Sequence, residues 1–200
     1  ASMAFVAGVD GVEIHAAHGY LLHSFLSPLF NLRKDEYGGS LENRMRFLME
    51  VVKATRDLCG SKAVIGVRAS SDEHMPGGTT LEDMKFVVKE LEKAGMDFFH
   101  LSGGSYEAMK YLFPDEDGTM MEDGKALKQV VKIPIIISSI HDPDMVDKAV
   151  REGYCDIMAH GRPLIADPEW ANKVKEGRVK DINKCTRDLM CLVRLFQGLP

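Results

Sequence analysis

The sequence predicts an α/β fold in which about five parallel strands are covered by outer helices. Short apolar runs alternate with segments of helical period, the pattern of strand–helix units packed into one parallel sheet. Polar residues then follow the carboxyl end of every strand: His15 and His18, Arg68, His100 with Ser102, Ser138 with Ser139, and His160 to Arg162. Functional groups on every strand end point to a partial (β/α)8 TIM barrel. A doubly wound sheet would instead carry a Gly-rich turn after its first strand, and none is present.

Asp10-Gly-Val-Glu-Ile14 reads as the first strand. Ser40 can cap a helix in which Leu41, Met45, Leu48, Val52 and Thr55 recur at helical spacing, ending near Cys59-Gly60. Ala63 to Arg68 is the second strand. A helix from about Thr80 places Leu81, Met84, Val88 and Leu91 on one face, with Gly95 as its stop. Asp97-Phe-Phe-His-Leu101 is the third strand, Lys125 to Lys132 a helix, and Ile133-Pro-Ile-Ile-Ile137 a strand whose continuous apolarity marks it as buried. Asp142-Pro143 and Asp167-Pro168 repeat one device, a capping carboxylate before a proline at the first helical position. Gly153 ends the helix between them, and Cys155-Asp-Ile-Met-Ala159 is the fifth strand. A weak repeat, Gly8-Val-Asp10, Gly95-Met-Asp97 and Gly153-Tyr-Cys-Asp156, marks three places where a helix stop turns into a strand.

Composition narrows the function. Of the 200 residues, 45% are hydrophobic and 28% charged, enough for one sizeable core. A net charge of -5 excludes a sequence-independent nucleic-acid binder and leaves a small molecule as the expected partner. No apolar run approaches the roughly 20 residues that span a bilayer, and the first residues lack the plan of a signal peptide. No membrane partner is expected, and a cytoplasmic location is. Cys59, Cys155, Cys185 and Cys191 are too few and too scattered for a secreted disulfide framework.

His15-Ala-Ala-His18-Gly-Tyr20 carries the chemistry. Two imidazole N–H groups converging on one oxygen would polarise a carbonyl and hold the enolate that develops from it, while a nearby phenol could deliver a proton to carbon.

The surrounding residues resemble a known family. His15-Ala-Ala-His-Gly-Tyr-Leu-Leu-His-Ser-Phe-Leu-Ser-Pro28, with Asn31, Arg33 and Asp35-Glu-Tyr-Gly-Gly-Ser-Leu-Glu-Asn-Arg44-Met-Arg-Phe47, resembles the old yellow enzyme family of FMN-dependent oxidoreductases. It looks closest to the branch of 2,4-dienoyl-CoA reductases and bacterial bile-acid enoate reductases. Weaker agreement continues to Gly161-Arg-Pro-Leu-Ile-Ala-Asp-Pro-Glu-Trp170. The resemblance implies an FMN-containing barrel that takes hydride from NADH or NADPH and passes it to the β-carbon of an α,β-unsaturated carbonyl or enoyl thioester. By position, His15 and His18 correspond to the pair that hydrogen-bonds the substrate carbonyl, and Tyr20 to the proton donor. Arg68 corresponds to the arginine beside the flavin pyrimidine, and Gly161 and Arg162 to the phosphate-binding end. Ser139 is a further cofactor candidate, standing where relatives carry glycine. The segment Asp35 to Arg44 reads as structural support, with Arg33, Asp35, Glu42 and Arg44 able to form ion pairs. His23, His74, His141 and His160 read as surface or capping groups.

Two further departures from the family shape the remaining expectations. The strands correspond to the family's fourth to eighth, so residues 1–182 are expected to form the later portion of an FMN-binding barrel. The alternative is a truncated, non-catalytic fragment that needs a complementary chain to bind flavin and self-associates through its open edges. Residues 183–200 are expected to begin a Cys-containing tail. Relatives in the dienoyl-CoA reductase branch bind a 4Fe-4S cluster there, but only Cys185 and Cys191 are present, with Asp188 between them. Such a cluster needs four thiolates, so the pair reads either as a vestigial or truncated cluster segment or as two ordinary cysteines.

Overall fold

The computed structural model describes residues 1–198. The last two positions of the expected tail therefore lie outside the described residues. Five parallel strands, β1 (Gly11–Ala16), β2 (Val64–Ser70), β3 (Phe98–Ser102), β4 (Ile135–Ile137) and β5 (Ile157–Met158), form one sheet in the order β1-β2-β3-β4-β5. Sequential order means that the winding never reverses. A doubly wound sheet has a reversal point, so the topology is that of a barrel wall. The helices are α1 (Ser2–Val6), α2 (Leu21–Leu26), α3 (Leu41–Cys59), α4 (Leu81–Lys93), α5 (Met109–Leu112), α6 (Met121–Lys128), α7 (Pro143–Arg151), α8 (Arg162–Ala166), α9 (Trp170–Lys175) and α10 (Met190–Phe196).

Alternation along each strand separates two faces. Ile65, Val67, Ala69, Phe99, Leu101, Ile135 and Ile137 are fully buried and belong to one apolar cluster or lie beside it, together with Met45, Leu48 and Val52 of α3 and Met84, Val88 and Leu91 of α4. The opposite parity forms the other face. There the register aligns His15, Arg68, His100, Ile136 and Ile157 in a single row across all five strands.

Helix signals read from sequence hold where a cap and a periodic face coincide. Ser40 accepts the Asn43 N–H and Gly60 stops α3 at φ +78°. Thr80 and Asp83 form a reciprocal capping box on α4. Asp142 accepts the Asp144 and Met145 N–H groups, with Pro143 at the first helical position of α7.

The Gly-to-Asp repeat proves to be a clasp. Asp97 accepts the Ile65 N–H at 2.7 Å and the Arg56 guanidinium at 2.5 Å, while Asp156 accepts the Ile135 N–H at 2.8 Å and the Lys128 ammonium. Each carboxylate thus receives an N–H at the start of the neighbouring strand and a cation from the helix that leads into that strand or packs beside it. Asp10 does the same work with its backbone carbonyl, which accepts the Val64 N–H at 3.0 Å.

Three expectations shift. The helix expected over Lys125–Lys132 runs from Met121 to Lys128, because Met121, Gly124 and Leu127 form its buried face. Glu92 accepts the Lys132 and Ile133 N–H groups and draws that stretch out of helix, leaving β4 to start at Ile135 after Pro134. Asp167-Pro168 does not repeat the α7 cap. Helix α9 starts at Trp170, and Asp167 instead joins the Glu169 and Asn183 N–H groups to the Lys173 ammonium, tying α9 to the tail.

Gly124 sets how closely α6 approaches the sheet: a Cβ there would overlap the Tyr154 carbonyl oxygen and come within 2.9 Å of Ile137 Cγ2. Backbone cannot yield as a flexible side chain does, so Gly124→Ala is expected to destabilise the fold by about 1–3 kcal/mol, read as a lower urea midpoint with unchanged slope.

Candidate active site

Strand β1 delivers His15, and the chain then turns sharply. His18 and Gly19 both adopt left-handed backbone, φ +65° and +81°, which reverses direction before α2 begins at Leu21. The turn brings three rings together: His15 lies 5.2 Å from His18 and 5.2 Å from Tyr20 between ring centroids. Tyr20 is half exposed, while His18 is only 7% exposed. His18 Nε2 is 2.6 Å from Ser102 Oγ at the end of β3, and Arg68 Nη2 donates to the same hydroxyl at 3.4 Å.

Burial, reinforced by the Arg68 guanidinium, pushes the His18 pKa down to about 3. His15 is lowered by the same two causes, opposed in part by Glu13. Both imidazoles are therefore neutral at physiological pH. Burial also lowers Arg68, whose charge Glu13 helps to sustain. Glu13 hydrogen-bonds His100 Nδ1 at 2.9 Å, so carboxylate, guanidinium and imidazoles share one face of the sheet.

A cavity of about 280 Å³ continues from this row along the strand ends, lined by Arg68, His100, Ser139, His160, Gly161 and Arg162. Its chemistry is set by unmet guanidinium donors. Among the described residues, Arg68 Nε and Arg162 Nη1 are buried with no partner, and His100 Nε2 and His160 Nδ1 are likewise unpaired. Arginine nitrogens can only donate, so the cavity suits a ligand rich in acceptors or negative charge. Gly161 leaves open space where a Cβ would stand. These features fit the phosphate and pyrimidine of FMN. Ser139 holds φ +69°, a left-handed conformation that explains why a glycine suits this position. A larger cavity, about 470 Å³, lies under the tail beside Asp117, His141 and Trp170 and contains none of His15, His18, Tyr20 or Arg68.

Cys185 and Cys191 line a separate small cavity with Asp188 and Arg162. Among the described residues no three metal-ligating side chains converge. Two thiols fall short of the four a 4Fe-4S cluster requires, so these residues do not by themselves hold one.

Some neighbours were not evident from sequence. Tyr106, in the loop after β3, shares a hydrogen bond with the Tyr20 hydroxyl across 86 positions of chain. Glu13 could have been found from its parity with His15. His23 is buried, not a surface group, and His160 packs against Trp170. In the loop Asp35–Arg44, Arg33 does pair with Asp35, but Arg44 donates to the Leu26 and Gly39 carbonyls instead of an acidic side chain.

The family model for NADH:flavin oxidoreductase / NADH oxidase matches residues 1–181. The chain belongs to this family. It is 44% identical over 196 residues to an NADH oxidase of Thermoanaerobacter brockii, covering 95% of this chain and 30% of that protein. A 2-naphthoyl-CoA reductase solved with 2-naphthoyl-CoA superposes with a TM-score of 0.88 at 36% identity, over 94% of this chain and 29% of the other. An old yellow enzyme homologue from Zymomonas mobilis gives 0.73 at 28% identity, over 88% and 49%. The resemblance to old yellow enzymes and the partial (β/α)8 barrel are thereby borne out. The chain spans about 30% of the length of the NADH oxidase and about half that of an NADPH dehydrogenase of Clostridium acetobutylicum. No helix among the described residues is long and apolar enough to cross a membrane.

The depressed His18 pKa has a measurable consequence. As pH falls from 6.5 towards about 3 the unfolded chain binds a proton at this residue that the folded chain refuses, so stability falls across that window. The melting temperature should decline over it, and His18→Asn should flatten the decline.

Proposed function

We propose that the protein carrying this chain is an FMN-dependent ene-reductase, using NADH or NADPH to reduce the C=C bond of an α,β-unsaturated carbonyl or enoyl thioester. The observation that carries the reading is the convergence of His15, His18 and Tyr20 beside Arg68, at the same strand ends as the donor-rich Gly161–Arg162 cavity. Arg68, Ser139, Gly161 and Arg162 would hold the cofactor: two guanidinium groups supply charge, and Gly161 allows close approach of its backbone. Bound FMN would supply the hydride.

The chain's own groups have distinct tasks. Arg68 can only donate to Ser102, and a Ser102 O–H donated in turn to His18 Nε2 would leave Nδ1 as the protonated nitrogen of His18. His15 and His18 then offer neutral N–H groups to the substrate carbonyl oxygen, stabilising the charge that gathers there as the π bond breaks. Tyr20 delivers its proton to the α-carbon, and the Tyr106 hydroxyl, hydrogen-bonded to it, offers a path for reprotonation from water. A CoA thioester and an enone both present the required carbonyl. The ligand of the naphthoyl-CoA reductase neighbour supports the thioester class.

A second reading, that residues 1–200 bind no flavin without further chain, is favoured by the exposure of Glu13, His15 and Ile157 on the inward face. FMN titration of this chain alone tests it, and stoichiometric flavin binding would refute it.

Anaerobic stopped-flow tests the chemistry on the FMN-loaded whole protein. NADH or NADPH should bleach the flavin, and an enone or enoyl thioester should restore it. Reoxidation by dioxygen alone would refute the assignment. Tyr20→Phe should slow acceptor reduction by about 10²–10⁴-fold while leaving flavin reduction unchanged.

A further inference from the structure

Glu73 and His23 are buried titratable groups that the chemistry above does not use. Glu73 is fully buried in the loop after β2, and His23, on α2, is 1% exposed. His23 Nδ1 accepts the Gly19 N–H at 2.7 Å. A ring nitrogen that accepts carries no proton, so the ring proton sits on Nε2. Among the described residues Nε2 has no hydrogen-bond partner, and it lies 3.5 Å from Glu73 Oε1.

Everything else around Glu73 donates to it. Ser27 Oγ–H lies 2.9 and 2.8 Å from its two oxygens, and the Thr79 N–H donates to Oε2 at 2.6 Å. The carboxylate is thus surrounded by donors, and a His23 Nε2–H completes the set.

We propose that Glu73 and His23 are positioning residues: the buried carboxylate fixes which nitrogen of His23 is protonated, and His23 thereby holds the Gly19 amide and the His18-Gly19-Tyr20 turn. The inference rests on reading that turn as the carbonyl and proton-donor site. The turn needs such an anchor. Its two consecutive left-handed residues lie outside strand and helix; the Tyr20 carbonyl accepts the Ser24 N–H at 2.8 Å on the α2 side, but on the β1 side the Tyr20 N–H bond to the Ala17 carbonyl is long at 3.4 Å. Burial lowers His23, while Glu73 and Glu107 raise it and His15 lowers it, leaving the ring on the neutral side. A second proton would enter at Nδ1 and displace the Gly19 N–H.

The near-isosteric Glu73→Gln is the decisive variant. Thr79 N–H keeps the amide oxygen at the Oε2 position, so the new NH₂ faces His23 Nε2. That favours the Nδ1–H tautomer and sets one N–H against another at Gly19. In the whole protein, amide hydrogen exchange at Gly19 should rise and acceptor reduction should fall, each roughly tenfold for one unsatisfied buried donor. His23→Asn places a non-tautomerising oxygen where Nδ1 stands and should keep Gly19 protected. In that background, Glu73→Gln should cost little.

Exchange at Gly19 unchanged by Glu73→Gln, or an equal penalty in both backgrounds, overturns the proposal. If Glu73→Gln fails to fold, His23→Asn against His23→Leu decides: protection kept only by Asn supports the relay, and equal exchange in both refutes it. Exchange needs no substrate, so failure of the ene-reductase reading would show separately, as wild-type protein that reduces no enone or enoyl thioester.

Discussion

The site depends on strand register. His15, Arg68 and His100 face one side together only because β1, β2 and β3 pair without a slip. Side chains alternate with period two, so a shift of one residue in β2 would drive the Arg68 guanidinium into the helix layer beside Phe99 and turn Val67 out of it. The Asp97 and Asp156 clasps act at that point of weakness. Each satisfies an N–H at a strand start that no ladder bond reaches, and each draws in a cation from a neighbouring helix. The end of the barrel away from the chemistry thus fixes the alignment of the end that carries it.

A permanent cation beside two imidazoles sets the electrical character of the strand ends. Arg68 and burial together keep His15 and His18 neutral, so both can offer N–H groups without bringing charge of their own. A neutral donor stabilises a developing oxyanion without trapping a formal ion pair. Ser102 links guanidinium to imidazole through one hydroxyl.

Much of the fold was legible because its signals were local. The α3 helix carried its cap, its apolar stripe and its stop within one stretch of sequence, and each appears in the structure. The α6–β4 region was less legible because Glu92, on another element, captures the two N–H groups that a longer helix would have used. The same division holds for the site. His15, His18 and Tyr20 were visible as a compact motif after a strand. Tyr106 and Glu73 were not, since each meets that motif only after the chain has folded back, and neither sits in a pattern of its own. His23 was misread for the same reason: a lone histidine on a short helix looks peripheral until its carboxylate partner arrives. The clasp aspartates were visible as a repeat, but their purpose lay in the N–H of a neighbouring strand.

The inward face holds one further consequence. Glu13 touches His100 and sustains the charge on Arg68, so the acid and the base of this layer already answer one another. A layer that balances its own charge can be covered without importing a counterion. Glu13 therefore asks no cation of a ligand, while the Arg68 Nε still calls for an acceptor, so the electrical demand of this layer runs in one direction only.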